Sequence, residues 1–177
     1  VDTLLRPRLL AGVAILLAGP SQGQSGDLAD PLRALGADVT GLELPGPDEE
    51  ALGLEGINRI DTLVLDARAL TAVPDALDAT WSVVVAAAKS AMIPDERGGK
   101  VVLLAPPPPA EAARAGLENM ARTLSVEWAR FGIRLTTIAP GQRSTDEELA
   151  VLTAYLASPA GDYFSGTRLS LGGVTPG

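Results

Sequence analysis

Two of the side-chain types that carry most proton and nucleophile chemistry are missing, since the 177 residues contain no cysteine and no histidine. Thiolate nucleophiles, imidazole bases and the usual zinc ligands are thereby excluded. No metal site is expected, and Ser21 and Ser144 have no imidazole to activate them. What remains is a glycine-rich stretch, "AILLAGPSQGQSGDLADPLRALGADV", with Gly19, Gly23 and Ser25 directly behind an apolar run. Glycine at such a turn lets backbone N–H groups approach a phosphate, and Glu43 is an acid placed to hold ribose hydroxyls. Asp27 and Asp30 oppose that reading, because acids at a helix start cap it well and compete with a phosphate. Pro31 sets the helix start near Asp27, since proline is tolerated near a helix's first turn. Two readings stay open: a tight turn that serves the fold, and a cofactor site.

The remaining candidates are few. Tyr155 and Tyr163 are the tyrosines, Lys89 and Lys100 the lysines, and neither tyrosine has a lysine three or four residues away. Tyr155 belongs to the last helix as a core or interface residue. Glu147 and Glu148 lie in "STDEEL", a capping-box-like start in which acids favour a helix N-terminus rather than form an acid/base pair.

The elements that must position these residues alternate. Short apolar runs predict strands near 13–18, 38–44, 62–66, 100–104, 134–139 and 168–171, and runs such as "VAILLA" and "TLVLD" suit strands buried on both faces. Helical periods predict helices over 74–92, 110–130 and 145–158, while residues 45–59 read as a loop with one helical turn. The pattern is that of one α/β domain over 1–177, with a mostly parallel sheet of about six strands and helices on both faces. A net charge of -8 with scattered Lys and Arg argues against nucleic acid. No apolar run approaches the roughly 18–20 residues a membrane span needs, and no export signal is legible, so a soluble cytoplasmic protein is expected.

Four landmarks stand in order along the chain: the Gly19 turn, "GGKVVLLA", "AGLENMARTLSVEWARFGIRLTTIAPG" and "ELAVLTAYLASPAGDYFSGTRLSLGG". With them the chain resembles the short-chain dehydrogenase/reductase family, of the ketoacyl reductase type, over nearly its whole length. The resemblance implies a Rossmann-like three-layer fold with right-handed crossovers, and an oligomer built on the two long helices.

It also implies a chemistry from which this chain departs. In the family, a Tyr-x-x-x-Lys pair, a serine after the preceding strand and an asparagine in the helix before it move a proton while hydride passes to or from a nicotinamide. Here Ala110 stands at the tyrosine position, Arg114 at the lysine, Ala105 or Pro106 at the serine and Thr80 near the asparagine. Alanine exchanges no proton, and arginine lacks lysine's adaptable pKa. The family's "NNAG" reads "LDAR", so Asp66 adds a negative charge near the expected cofactor and Arg68 replaces a glycine with bulk. Prolines 106–109 fill a shortened active-site loop, residues 45–59 stand where the family has a further strand and helix, and the substrate-covering loop after "IAPG" is reduced.

The expectation is a non-catalytic member, a structural or regulatory subunit packing through helices 74–92 and 110–130 against itself or an active relative. No cofactor is expected, with NAD the candidate should Gly19, Gly23, Ser25 and Glu43 still hold one. The alternatives are a module that binds a dinucleotide or a coenzyme A ester, and an NAD(P)-dependent oxidoreductase with an atypical site.

Overall fold

The apolar runs form the strands expected of them. In the computed structural model, which describes residues 5–19, 26–44 and 54–172, β1 is Ala14–Gly19, β2 Asp38–Glu43, β3 Thr62–Asp66, β4 Gly99–Leu104, β5 Ile133–Ala139 and β6 Thr167–Ser170. All pair in parallel, in the order β2-β1-β3-β4-β5-β6. The direction of winding therefore reverses between β1 and β3, which opens a crevice at the carboxyl ends of these strands.

Four helices cover the faces: α1 (Gly26–Ala34), α2 (Val73–Ala87), α3 (Glu111–Glu127) and α4 (Asp146–Ala157). Alternation along the strands divides the core in two. Leu16, Leu63, Leu65, Val101 and Leu103 face α2 and α3, while Ile15, Leu17, Val64, Val102 and Leu104 face α1 and α4. Such double-sided burial explains why β3 is buried at every position. Alanines and glycines let the helices sit close: a Cβ at Gly116 of α3 would lie 3.1 Å from Leu77 of α2.

α1 starts at Gly26, beside the expected Asp27, and runs on past Pro31; the fully buried Leu28 and Leu32 anchor the helix to the sheet and outweigh the lost backbone bond. One expectation changes in detail. The helix expected over 74–92 is α-helical only to Ala87 and continues as a π-turn over Ala88–Met92, with the Ile93 N–H donating to the Ala88 carbonyl at 2.8 Å. Residues 54–59 form no helical turn, and 45–53 lie outside the described residues. The start of α4 is as expected: the Thr145 hydroxyl accepts from the Glu148 N–H at 3.2 Å, and the Glu148 carboxylate from the Thr145 N–H at 2.9 Å. Among the described residues no helix is long and apolar enough to cross a membrane.

Candidate functional site

The carboxyl ends of the strands bring the expected positions together. β1 ends at Gly19, which is in register with Glu43 at the end of β2, where the glutamate is exposed. Gly23 and Ser25 lie outside the described residues, as does the side chain of Asp27. β3 ends at Asp66, β4 runs through Ala105 into the buried Pro106, and β5 leads into Pro140 and Gly141. Ala110 immediately precedes α3, and the Pro108–Pro109 bond between β4 and α3 is cis.

Arg114 lies one turn into α3 and is only 6% exposed. Its Nη1 donates to the Pro106 carbonyl at 2.7 Å and the Pro140 carbonyl at 2.8 Å, joining the segments that follow β4 and β5. Glu111 approaches its Nε at 3.4 Å without hydrogen-bond geometry. A single arginine thus ties down two backbone carbonyls that would otherwise be buried unpaired. Thr80, near the family's asparagine position, is fully buried in α2 with its hydroxyl unbonded.

The second feature corrects an expectation. Asp66 does not present a bare charge to the crevice: it is fully buried and neutralised by Arg68. Its Oδ1 accepts from the Arg68 backbone N–H at 3.1 Å and from Nε at 2.8 Å, and its Oδ2 accepts from Nη2 at 2.8 Å. Arg68 Nη1 donates to Asp146 at the start of α4, so the guanidinium bridges the end of β3 and the helix that follows β5. Burial alone would lower the arginine's hold on its proton; hydrogen bonds and charge from Asp66, then Asp146, outweigh it and raise the pKa above its ordinary value. The expectation missed the Asp66–Arg68 pairing, for which the Asp-x-Arg spacing in "LDAR" is a local signal, whereas Asp146 stands 78 residues away and carried none.

The other titratable candidates have structural occupations. Lys100 holds the end of α4, donating to the carbonyls of Ala157, at 3.2 Å, and Ser158, and pairing with Asp162 at 2.9 Å. Tyr155 meets Phe164 edge-on with ring centroids 6.0 Å apart, and Tyr163 is 90% exposed. The Ser144 hydroxyl accepts from the Gly141 N–H at 2.9 Å. Among the described residues no cluster of acids could hold a metal ion.

Among the known proteins to which the chain is similar are reductases and dehydrogenases. The chain is 32% identical over 87 residues to the sorbose reductase SOU1 of Candida albicans, a match covering 35% of this chain and 31% of that protein. It is 31% identical over 91 residues to a probable 2,4-dienoyl-CoA reductase of Bacillus subtilis, covering 35% and 36%. The solved citronellol catabolism dehydrogenase AtuB of Pseudomonas aeruginosa superposes with a TM-score of 0.77 at 22% identity, over 96% of this chain and 97% of that one. The chain resembles the short-chain dehydrogenases and reductases in sequence and in fold. A 3-alpha-hydroxysteroid dehydrogenase from Pseudomonas sp. B-0831, solved with NADH, superposes at 0.71 and 20% identity, over 89% of this chain and 94% of that one. The chain spans about a third of the length of the curated relatives it matches, and no protein-family model matches it.

A nicotinamide dinucleotide is what this family implies, and the described residues fit its two halves unequally. Where the family would place the adenosine half, Glu43 stands beside Gly19 on adjacent strand ends. Toward the nicotinamide half the side chains are already engaged. Arg68 extends across the crevice to Asp146, Arg114 is committed to two carbonyls, and Ala110 offers no proton.

Proposed function

We propose that this chain is a non-catalytic relative of the short-chain dehydrogenases and reductases, acting as a structural or regulatory subunit. The observation that carries the reading is Arg114: the family's lysine position is filled by a cation bound to the carbonyls of Pro106 and Pro140, with Ala110 at the tyrosine position. A proton relay needs a group that can release and regain a proton near neutral pH, and neither alanine nor a paired arginine is one.

Its partner is a second copy or an active relative, engaged through helices 74–92 and 110–130. Supporting this, Trp81 on α2 is 50% exposed and Val126 on α3 is 75% exposed, a cost in apolar hydration that an interface would remove. Light scattering at micromolar protein tests self-association; a mass of one chain, both alone and mixed with an active family member, would refute the subunit reading.

A second reading is favoured by the Gly19–Glu43 register: retention of a nucleotide's adenosine half. AMP, ADP and NADH at 100 times their dissociation constants would each add about 2.7 kcal/mol, raising the unfolding midpoint by about 5–10 °C. No shift with any of them at millimolar concentration would reject this reading.

A further inference from the structure

We propose that the outer edge of β2 accepts an extended, cationic segment of a partner protein as an added strand. β2 is the outer strand of the sheet, and among the described residues nothing pairs with its far side. Its parity is fixed by the bonds to β1: the Asp38 N–H donates to Val13 at 2.9 Å and the Leu44 N–H to Gly19 at 3.1 Å, so even-numbered residues face inward. Val39, Gly41 and Glu43 consequently turn their N–H and C=O groups outward. One of these carbonyls, that of Val39, is taken by Arg33 at 3.2 Å; Gly41 is exposed, and a Cβ built on it would meet nothing within 4 Å.

Natural edge strands are usually protected by proline, lysine, a bulge or a covering element. This one has no proline and no lysine, and it is exposed at Asp38, Thr40, Gly41 and Glu43. An open row of backbone donors and acceptors is what strand addition uses for affinity, while pockets beside it set specificity. Such a pocket exists: a cleft of about 590 Å³ at the amino ends of β1 and β2, lined by Asp38, Thr40 and the segment from Glu55 to Arg59.

Charge selects the occupant. Asp38, Glu43 and Glu55 have no ion-pair partner among the described residues, whereas Arg33 is paired with Asp30 at 3.3 Å and Arg59 with Asp61 at 2.7 Å. The rim is therefore acidic, on a chain of net charge -8. Two copies meeting edge to edge would bring these rims together, which disfavours a second copy and favours Lys or Arg on the incoming strand.

The test is titration of isotope-labelled protein with a capped eight-residue peptide of alternating Lys and Val, and with its Glu–Val counterpart. The Lys peptide is expected to shift the amides of Val39, Gly41 and Glu43 and to slow hydrogen exchange at Gly41. Gly41→Pro removes an outward donor, a change an edge strand tolerates, and should weaken binding about five- to tenfold. Should that variant misfold, Asp38→Lys with Glu55→Lys leaves the backbone intact and should weaken binding at least as much. Shifts elsewhere, no binding at millimolar peptide, or equal binding of the Glu peptide would overturn the proposal. So would protection of residues 39–43 by protein concentration alone, which would assign the edge to a second copy.

Discussion

Replacing Arg68 by alanine isolates the bridge across the crevice. The substitution strands Asp66, whose carboxylate is fully buried and has its two oxygens on Arg68 Nε and Nη2, each at 2.8 Å. Removing one partner of a buried pair costs about 3–5 kcal/mol. The pair with Asp146, which is 52% exposed, adds about 0–1 kcal/mol. At about 2–4 °C per kcal/mol for a domain of this size, the midpoint should fall by about 6–24 °C. The same ledger makes Asp66→Leu with Arg68→Met nearly neutral, because replacing a buried pair by apolar groups removes both desolvation penalties. Urea and thermal unfolding followed by circular dichroism measure both variants. A loss below about 1 kcal/mol for Arg68→Ala, or a double variant no better than the single one, would refute burial as the source of the effect. Because the pKa of Arg68 is raised, its contribution is fully present below the ordinary arginine value and lost only above it, so the arginine itself adds no pH dependence near neutrality.

Other outcomes follow from the same contacts. Arg114→Ala frees two carbonyls from charged hydrogen bonds and should cost about 3–5 kcal/mol by urea unfolding, with Arg114→Lys recovering part of it because one ammonium reproduces only part of the geometry. Thr145→Ala removes half of the capping box and should cost about 1 kcal/mol, read as a small drop in the urea midpoint at unchanged slope. Trp81→Glu with Val126→Glu should abolish the proposed association, read in light scattering as a mass of one chain both alone and with an active family member, while leaving the unfolding midpoint within about 2–4 °C.

The fold was legible because its strands are short apolar runs buried on both faces; β3 falls where "TLVLD" puts it. The start of α1 was legible from Pro31, which places it near Asp27, and it falls at Gly26; that the helix runs on past the proline depends on burial of Leu28 and Leu32 through contacts distant in sequence. At the site, spacing against the landmarks was the basis for setting Thr80, Pro106, Ala110 and Arg114 at the family's positions. What those replacements do could not be read from it. The hold of Arg114 on Pro140 spans 26 residues, and that of Arg68 on Asp146 spans 78, so both depend on strand ends that only the assembled sheet brings together.

The central claim is that the scaffold persists without its proton relay. It is tested most directly by following nicotinamide absorbance as the purified protein meets NADH or NADPH with a panel of aldehydes, ketones and enoyl thioesters. No turnover above the uncatalysed rate is the expected result. Saturable oxidation of either cofactor that tracks the folded protein through purification would contradict the account, and would place a proton donor in the crevice beyond Ala110 and Arg114.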